Sequence, residues 1–208
     1  MKFFKNNYDN SYFKTFIDID IKPIKRMDIQ SKIKMIRSLK NSGRLLEIGC
    51  GTGKLLNELQ KYYSVFGIDI SPYAISEASK TIINKNLNVL DIEKGKIIGN
   101  YDIIIAFDIL EHLNNPKNAI IKIKKSLKES GIFILSVPNN YGLYGKIITR
   151  VFNFIDKTHI STFNRNFWIK ILQEEGFDMD IRNQSWFGIF KSDISKNFTD
   201  NLLIIAKK

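Results

Sequence analysis

The chain carries a glycine-rich stretch, 49–53, directly after a short apolar run. Glycines at alternate positions leave room for a ligand close to the backbone, and the N–H groups of such a turn are available to bind it. A dinucleotide-binding loop requires glycine at position 54, and a phosphate-binding loop requires Ser or Thr directly after Gly-Lys. Lys54 and Leu55 occupy these positions. The spacing therefore fits both patterns badly and indicates a loop that holds another small ligand.

Two aspartates follow the second and third predicted strands. Asp69 stands at the end of the second strand, where a carboxylate in a doubly wound α/β sheet accepts both hydroxyls of a ribose. Asp91 stands where a carboxylate would accept a hydrogen bond from an adenine amino group, with Ile92 against the ring. The structural alternatives are a helix cap for Asp69, a role that Ser71 fills better, and a turn aspartate for Asp91. Together with the glycine turn, the two acids indicate a ligand that contains adenosine.

The sequence holds two histidines, His112 and His159, and a single cysteine, Cys50. An imidazole with a pKa near 6.5 suits general-base chemistry, so both histidines are candidate catalytic residues. The alternatives are a pocket or packing role for His112 and a loop-fixing role for His159. One cysteine forms neither an internal disulfide nor a thiolate cluster, so we expect no metal site and a reducing, cytoplasmic location.

Helical and extended patterns alternate along the chain and place these motifs. Apolar spacing predicts a helix that ends near Asn41, and further helices over 54–62, from 71–72, over 116–127 and over 164–175. Strands are predicted at 44–48, 64–68, 88–90, 101–107, 132–137, 177–183 and 202–206. The alternation predicts an α/β, doubly wound, Rossmann-like sheet that is mainly parallel and ends in an antiparallel hairpin. Ligands bind such sheets outside the carboxyl ends of the strands, where the motifs fall.

The length of the chain indicates its domain organisation, and its charge indicates the kind of partner that it suits. Its 208 residues without a composition break predict one domain, in which residues 1–43 form an N-terminal helical cap and 139–160 an insertion or lid. The net charge of +11 and the basic stretch 22–44 suit an acidic partner such as RNA, or simply a basic surface. We expect neither a membrane-spanning segment nor an export signal. The aromatic and basic residues of 141–155 suit peripheral contact with a membrane surface, and a plain covering helix is the alternative.

Four blocks of sequence resemble the class I S-adenosylmethionine-dependent methyltransferases, in the branch that includes the ubiquinone-biosynthesis O-methyltransferases. The blocks are 45–53, 67–71, 101–113, and Thr158-His159 with 175–177. The resemblance implies a seven-stranded sheet whose last strand is antiparallel, and S-adenosyl-L-methionine as cofactor. It also implies that the cofactor contacts Glu47, Gly49, Cys50, Gly51, Gly53, Asp69, Ile70, Asp91, Ile92 and Phe107.

The predicted function is transfer of a methyl group to an oxygen or nitrogen of a small-molecule acceptor. An RNA methyltransferase is the first alternative, although Val137-Pro138-Asn139-Asn140 stands where base-amino methylation requires Asn/Asp-Pro-Pro-aromatic. The second alternative is a non-catalytic, cofactor-binding partner subunit. The acceptor itself does not follow from the motifs, because acceptor pockets are built from variable insertions.

Overall fold

Helices and strands alternate in the structure as the apolar spacing predicts. The structure, a computed structural model, describes residues 22–138, 163–185, 188–190 and 201–208. Its contacts divide the chain into two units, Met1–Gly95 and Lys96–Lys208. The single-domain organisation stays a prediction.

Within its described residues, 22–95, the first unit holds three parallel strands and three helices. These are α1 (Lys22–Leu39), β1 (Arg44–Ile48), α2 (Lys54–Leu59), β2 (Ser64–Asp69), α3 (Pro72–Ala78) and β3 (Leu87–Val89). The strand order is β3-β2-β1, with each neighbouring pair parallel. After Arg44, every residue of β1 is buried, the pattern of a strand covered on both faces. The carboxyl ends of β1 and β2 therefore open at the same edge of the sheet.

The second unit begins with a parallel pair of strands and ends in antiparallel ones. It contains β4 (Tyr101–Phe107), a 3₁₀ turn (Leu110–His112), α4 (Pro116–Ser126), β5 (Leu127–Pro138), α5 (Arg165–Glu174), β6 (Asp178–Ser185), β7 (Gly188–Phe190) and β8 (Asn201–Lys207). The strand order is β4-β5-β8-β6-β7. Strands β4 and β5 are parallel, whereas β5–β8, β8–β6 and β6–β7 are antiparallel.

Local sequence explains where the helices of the second unit begin. Asn115 caps α4 because its side chain accepts a hydrogen bond from the backbone N–H of Asn118, and Pro116 follows in the first turn. Asn164 caps α5 in the same way through Phe167. Both helices then bury one apolar face, so the elements are held by packing as well as by their caps.

The α/β class and the antiparallel C-terminal pair, β6 with β8, confirm the predicted fold. Each of the seven predicted strands is present, and the short β7 is an addition. Strand β5 begins at Leu127, before the predicted start at 132, because Leu127 already pairs with Tyr101. The proposed lid 139–160, the segment 141–155 and the first half of the predicted N-terminal cap lie outside the described residues. Among the helices that the structure describes, none is long and apolar enough to cross a membrane.

Candidate functional site

The glycine turn after β1 adopts a conformation that explains its composition. Gly49, Gly51 and Gly53 have φ angles of 71°, 52° and 79°, in the left-handed region that side chains disfavour. Space is also short at Gly53, where a Cβ atom would lie 2.9 Å from the Cβ of Ala78. Glycine is therefore required at Gly53 both for its backbone angle and for the close approach of α3.

The N–H groups of this turn are used within the protein. Those of Gly49 and Cys50 donate to the carbonyl oxygen of Ile68 at 2.8 and 3.1 Å, and that of Gly53 donates to the carbonyl oxygen of Cys50 at 3.0 Å. The N–H of Gly51 donates to Oδ2 of Asp69 at 2.9 Å. The expectation that these four groups are left for a ligand is wrong, because three of them fasten the turn to the end of β2 and that of Gly53 bonds within the turn. The backbone of the turn can therefore lie against a ligand, but these four N–H groups are not open hydrogen-bond donors.

Asp69 joins the two strand ends of this edge. Its Oδ2 binds the glycine turn, and its Oδ1 accepts the backbone N–H of Ser71 at 2.8 Å. Burial raises the pKa of this carboxyl, opposed by hydrogen bonds from the N–H groups of Ser71, Gly51 and Ile70. Ser71 itself caps α3, since its hydroxyl accepts the N–H of Ala74 at 3.2 Å, so the capping alternative for Asp69 does not hold. Of the roughly four acceptor positions of a carboxylate, these three N–H groups leave about one for a ligand hydroxyl.

Glu47 brings a second carboxyl to the same end of the sheet. It is 7% exposed, and among the residues that the structure describes its Oε2 atom has no hydrogen-bond partner. Burial raises its pKa to about 8, the field of Lys32 lowers it, and the charge of Asp69 raises it. A buried carboxyl without a donor is costly in its charged form, and a cationic or N–H-bearing ligand would relieve that cost. This orphaned atom fits the ammonium and sulfonium charges of S-adenosylmethionine.

Asp91 has local partners in the structure. Its Oδ1 accepts the backbone N–H of Glu93 at 3.0 Å, and its Oδ2 pairs with Nζ of Lys94 at 2.5 Å. Asp91 is therefore a turn aspartate, which leaves its role toward an adenine a prediction. Ile92 beside it is buried at 5% exposure.

The remaining candidates belong to the second unit. Phe107 ends β4 and is half-buried, and His112 ends the 3₁₀ turn and is also half-buried. His159 lies outside the described residues. Within the described ranges, no group of three or more His, Cys, Asp or Glu side chains is arranged to hold a metal ion.

Comparison with known proteins identifies the family of this chain. A family model described as a methyltransferase domain matches residues 26–180, which is more than half of the chain. The matched range includes strands β1 to β5 and the aspartates Asp69 and Asp91. The chain belongs to the class I S-adenosylmethionine-dependent methyltransferases. Its cofactor is S-adenosylmethionine.

Relatives of this methyltransferase act on diverse molecules. The mitochondrial ubiquinone biosynthesis O-methyltransferase of Schizosaccharomyces pombe is 26% identical over 53% of this chain and 43% of its own length. The malonyl-[acyl-carrier protein] O-methyltransferase of Anoxybacillus flavithermus is 34% identical over 44% of this chain and 38% of its own length. The chain thus spans about two fifths of these relatives. The structure of magnesium protoporphyrin IX methyltransferase from Synechocystis, with S-adenosylhomocysteine bound, has the same fold, with a TM-score of 0.71. The two proteins are 18% identical, and the match covers 98% of this chain and 97% of that one.

Sequence reasoning missed two features of this methyltransferase. One is Lys32, whose charge acts on Glu47 from helix α1, and no motif marks that approach. The other is Asp108, which is hydrogen-bonded to Ser136 and Asn201. Its position directly after a predicted strand was a signal, because ligand-binding residues concentrate there.

Proposed function

We propose that the protein transfers a methyl group from S-adenosylmethionine to an oxygen or nitrogen atom of a small-molecule acceptor. The observation that carries the proposal is the buried pair of carboxyls, Glu47 and Asp69, beside a left-handed glycine turn. We also propose the cytoplasm as its location, where a chain with one buried cysteine needs no disulfide.

The residues of the first unit suit the parts of the cofactor. Glu47 would hold the cationic methionine part, against the backbone of Gly49, Cys50, Gly51 and Gly53. Asp69 with Ile70 would hold the ribose hydroxyls. Asp91 and Ile92 would hold the adenine, and in the second unit Phe107 would lie beside the cofactor.

The chemistry asks mainly for positioning. S-adenosylmethionine supplies a methyl group bound to a sulfonium, which is ready for in-line displacement. The protein then holds donor and acceptor in line and, for a hydroxyl acceptor, receives a proton. We propose His112 and His159 as candidate groups for that proton, with the acceptor under segment 139–160.

The charges of helix α1 favour a small-molecule acceptor over RNA. Lys32 pairs with Asp28 at 2.8 Å, and the guanidinium of Arg37 stacks over the ring of Tyr62 at 4.0 Å. A phosphate backbone would have to compete with these partners. Part of the positive charge of this stretch is thus already used within the protein.

Isothermal titration with S-adenosylmethionine tests the cofactor site. Asp69→Ala should abolish measurable binding, because it removes the ribose acceptor and releases the glycine turn. Asp91→Asn keeps the turn acceptor for Glu93 and should weaken binding without unfolding the chain. Unchanged affinity in both variants would refute the site.

Two controls separate binding from folding and from catalysis. Glu129→Gln changes a side chain that is 90% exposed and should bind as the wild type does. Labelled methyl transfer from S-adenosylmethionine into small molecules and RNA of a cell extract then identifies the acceptor class. Label in RNA alone would overturn the small-molecule proposal, and cofactor binding without any labelled product would indicate a non-catalytic subunit.

A further inference from the structure

An arginine without a partner stands at the start of α5. Arg165 is the first residue of this helix and is half-buried. Its Nη1 atom is buried, and among the residues that the structure describes it finds no hydrogen-bond acceptor. Within the same described ranges, no acidic side chain forms a salt bridge with Arg165. A buried guanidinium N–H without an acceptor is costly, and folded proteins leave few such groups.

The charge of the helix end adds to this cost. The backbone N–H groups at a helix N-terminus carry partial positive charge, so a cation in the first turn is disfavoured there. The first turn of α5 contains no acidic residue that would offset either charge. Arg165 and the N-terminus of α5 therefore form a positively charged place that favours an anion.

Local packing fixes the start of α5. The side-chain oxygen of Asn164 accepts the backbone N–H of Phe167 at 2.9 Å. The ring of Phe163, just before this cap, packs edge-on against Trp168, with 5.8 Å between the ring centres. Such a contact between the residue before a cap and the fourth helical residue is a hydrophobic staple, which fixes the entry of the chain into the helix. Trp168 is 1% exposed, so Arg165 projects from a helix end that is anchored in the core.

The strand topology places this helix end at the ligand-binding edge of the second unit. Strands β5 and β6 are both antiparallel to β8, so they run in the same direction, and α5 connects them. Lys207 of β8 pairs with Ile132 of β5 and with Asp178, the first residue of β6. The end of α5, which lies just before Asp178, is therefore near the amino ends of these strands. A helix that connects two parallel strands starts from the carboxyl end of the first, and ligands bind at that edge.

We propose that Arg165 and the N-terminus of α5 bind an oxyanion, either a carboxylate or a phosphate, that is carried by the methyl acceptor. The inference rests on the proposed function and narrows its acceptor from any small molecule to an anionic one. A planar guanidinium offers two parallel N–H groups to such an oxyanion, an arrangement that lysine does not reproduce. Arg165 orients the acceptor in this role and takes no part in the transfer of the methyl group or the proton.

A second arginine of the same unit provides a matched control. The Nε and Nη2 atoms of Arg182 donate to Oδ2 of Asp180 at 3.0 and 2.7 Å. Its guanidinium thus already holds the oxyanion that Arg165 lacks. Arg182→Gln makes the same chemical change as Arg165→Gln, but at an arginine whose partner belongs to the protein. Arg165→Gln should melt no lower than the wild type, because it removes a cation without a partner from the positive end of a helix.

Thermal unfolding with added anions tests the site without knowledge of the natural acceptor. Sodium benzoate and sodium phosphate supply the two kinds of oxyanion, and sodium chloride at equal ionic strength is the reference. An anion that binds the folded protein raises its Tm, so at least one of the two should raise the Tm of the wild type and of Arg182→Gln by about 2 °C more than that of Arg165→Gln. Comparison between variants cancels the general effect of each salt on folded proteins. A difference with benzoate alone assigns a carboxylate, and a difference with phosphate alone assigns a phosphate.

Methyl transfer provides a second test. A small-molecule extract is separated on an anion exchanger at neutral pH, and both fractions are incubated with the protein and labelled S-adenosylmethionine. The retained fraction should contain the acceptor. With that fraction Arg165→Gln should lower kcat/KM by roughly tenfold or more, mainly through KM, and Arg165→Lys should lower it less. Affinity for S-adenosylmethionine, measured by isothermal titration, should stay within about twofold of the wild type in both variants.

Several results would overturn the inference. They are equal stabilisation of wild type and Arg165→Gln by both anions, an acceptor that is found only in the unretained fraction, and wild-type kcat/KM in Arg165→Gln. A Tm of Arg165→Gln well below that of the wild type, or loss of its cofactor binding, would indicate a structural role and would also overturn it. Absence of labelled product from both fractions would instead refute the proposed function, and the anion-dependent Tm would still decide whether Arg165 binds an oxyanion.

Discussion

Replacing Glu47 by glutamine should change how the stability of the cofactor-free protein depends on pH. Burial raises the pKa of this carboxyl from 4.5 to about 8, although the field of Lys32 opposes the shift and that of Asp69 adds to it. The folded protein therefore holds this proton more tightly than the unfolded chain. The resulting stability is fully present below pH 4.5 and is lost as the pH rises through about 8.

The size of the effect follows from the same two pKa values. Between pH 6 and pH 8 the wild type should lose about 2 kcal/mol of unfolding free energy from this group alone. For a chain of this length that corresponds to roughly 4–8 °C in melting temperature. Glu47→Gln imitates the protonated carboxyl, so its stability relative to the wild type should rise by the same amount over this interval.

Thermal unfolding of both proteins from pH 5.5 to 8.5, without cofactor, measures this difference. Subtraction of the two curves cancels the contributions of all other groups that titrate alike in both proteins. Glu129→Gln, at an exposed position, should run parallel to the wild type. Parallel curves for Glu47→Gln and wild type would show that the Glu47 carboxyl titrates as it does in water, and would refute the reasoning.

Two further predictions concern the glycine turn. Gly53→Ala should cost more than about 2 kcal/mol in urea unfolding, because a strained φ of 79° adds to a 2.9 Å contact with Ala78. Gly176→Ala has a similar φ of 73° but meets only a flexible lysine end at 3.5 Å, so it should cost about 1 kcal/mol, and equal costs would count against the packing argument. Burial, followed by the charges of Glu47 and Asp69, raises the pKa of Cys50, so its thiol should resist iodoacetamide at pH 8 until urea unfolds the chain. Rapid labelling of the native protein would contradict this.

Much of the fold was within reach of the sequence, because local patterns specify it. The bounds of β1 and β4 match the prediction residue for residue, since each is a mostly apolar run of buried residues. The start of α3 followed from the cap at Ser71 and the proline after it. The start of β5 did not follow, because residues 127–131 are polar in part and only Leu127 among them pairs with β4, a contact made in the folded chain.

The candidate site divides in the same way. The sequence by itself determined the glycine turn, Asp69 and the family, because these depend on residue types at short spacing. Only the tertiary structure shows that Asp69 accepts a hydrogen bond from the N–H of Gly51, and that the charge of Lys32 lowers the pKa of the buried Glu47. It also brought Asn201 to Asp108, which lies 93 residues earlier. Such contacts depend on the packing of distant segments and on the removal of water from charged groups, and no local pattern records either.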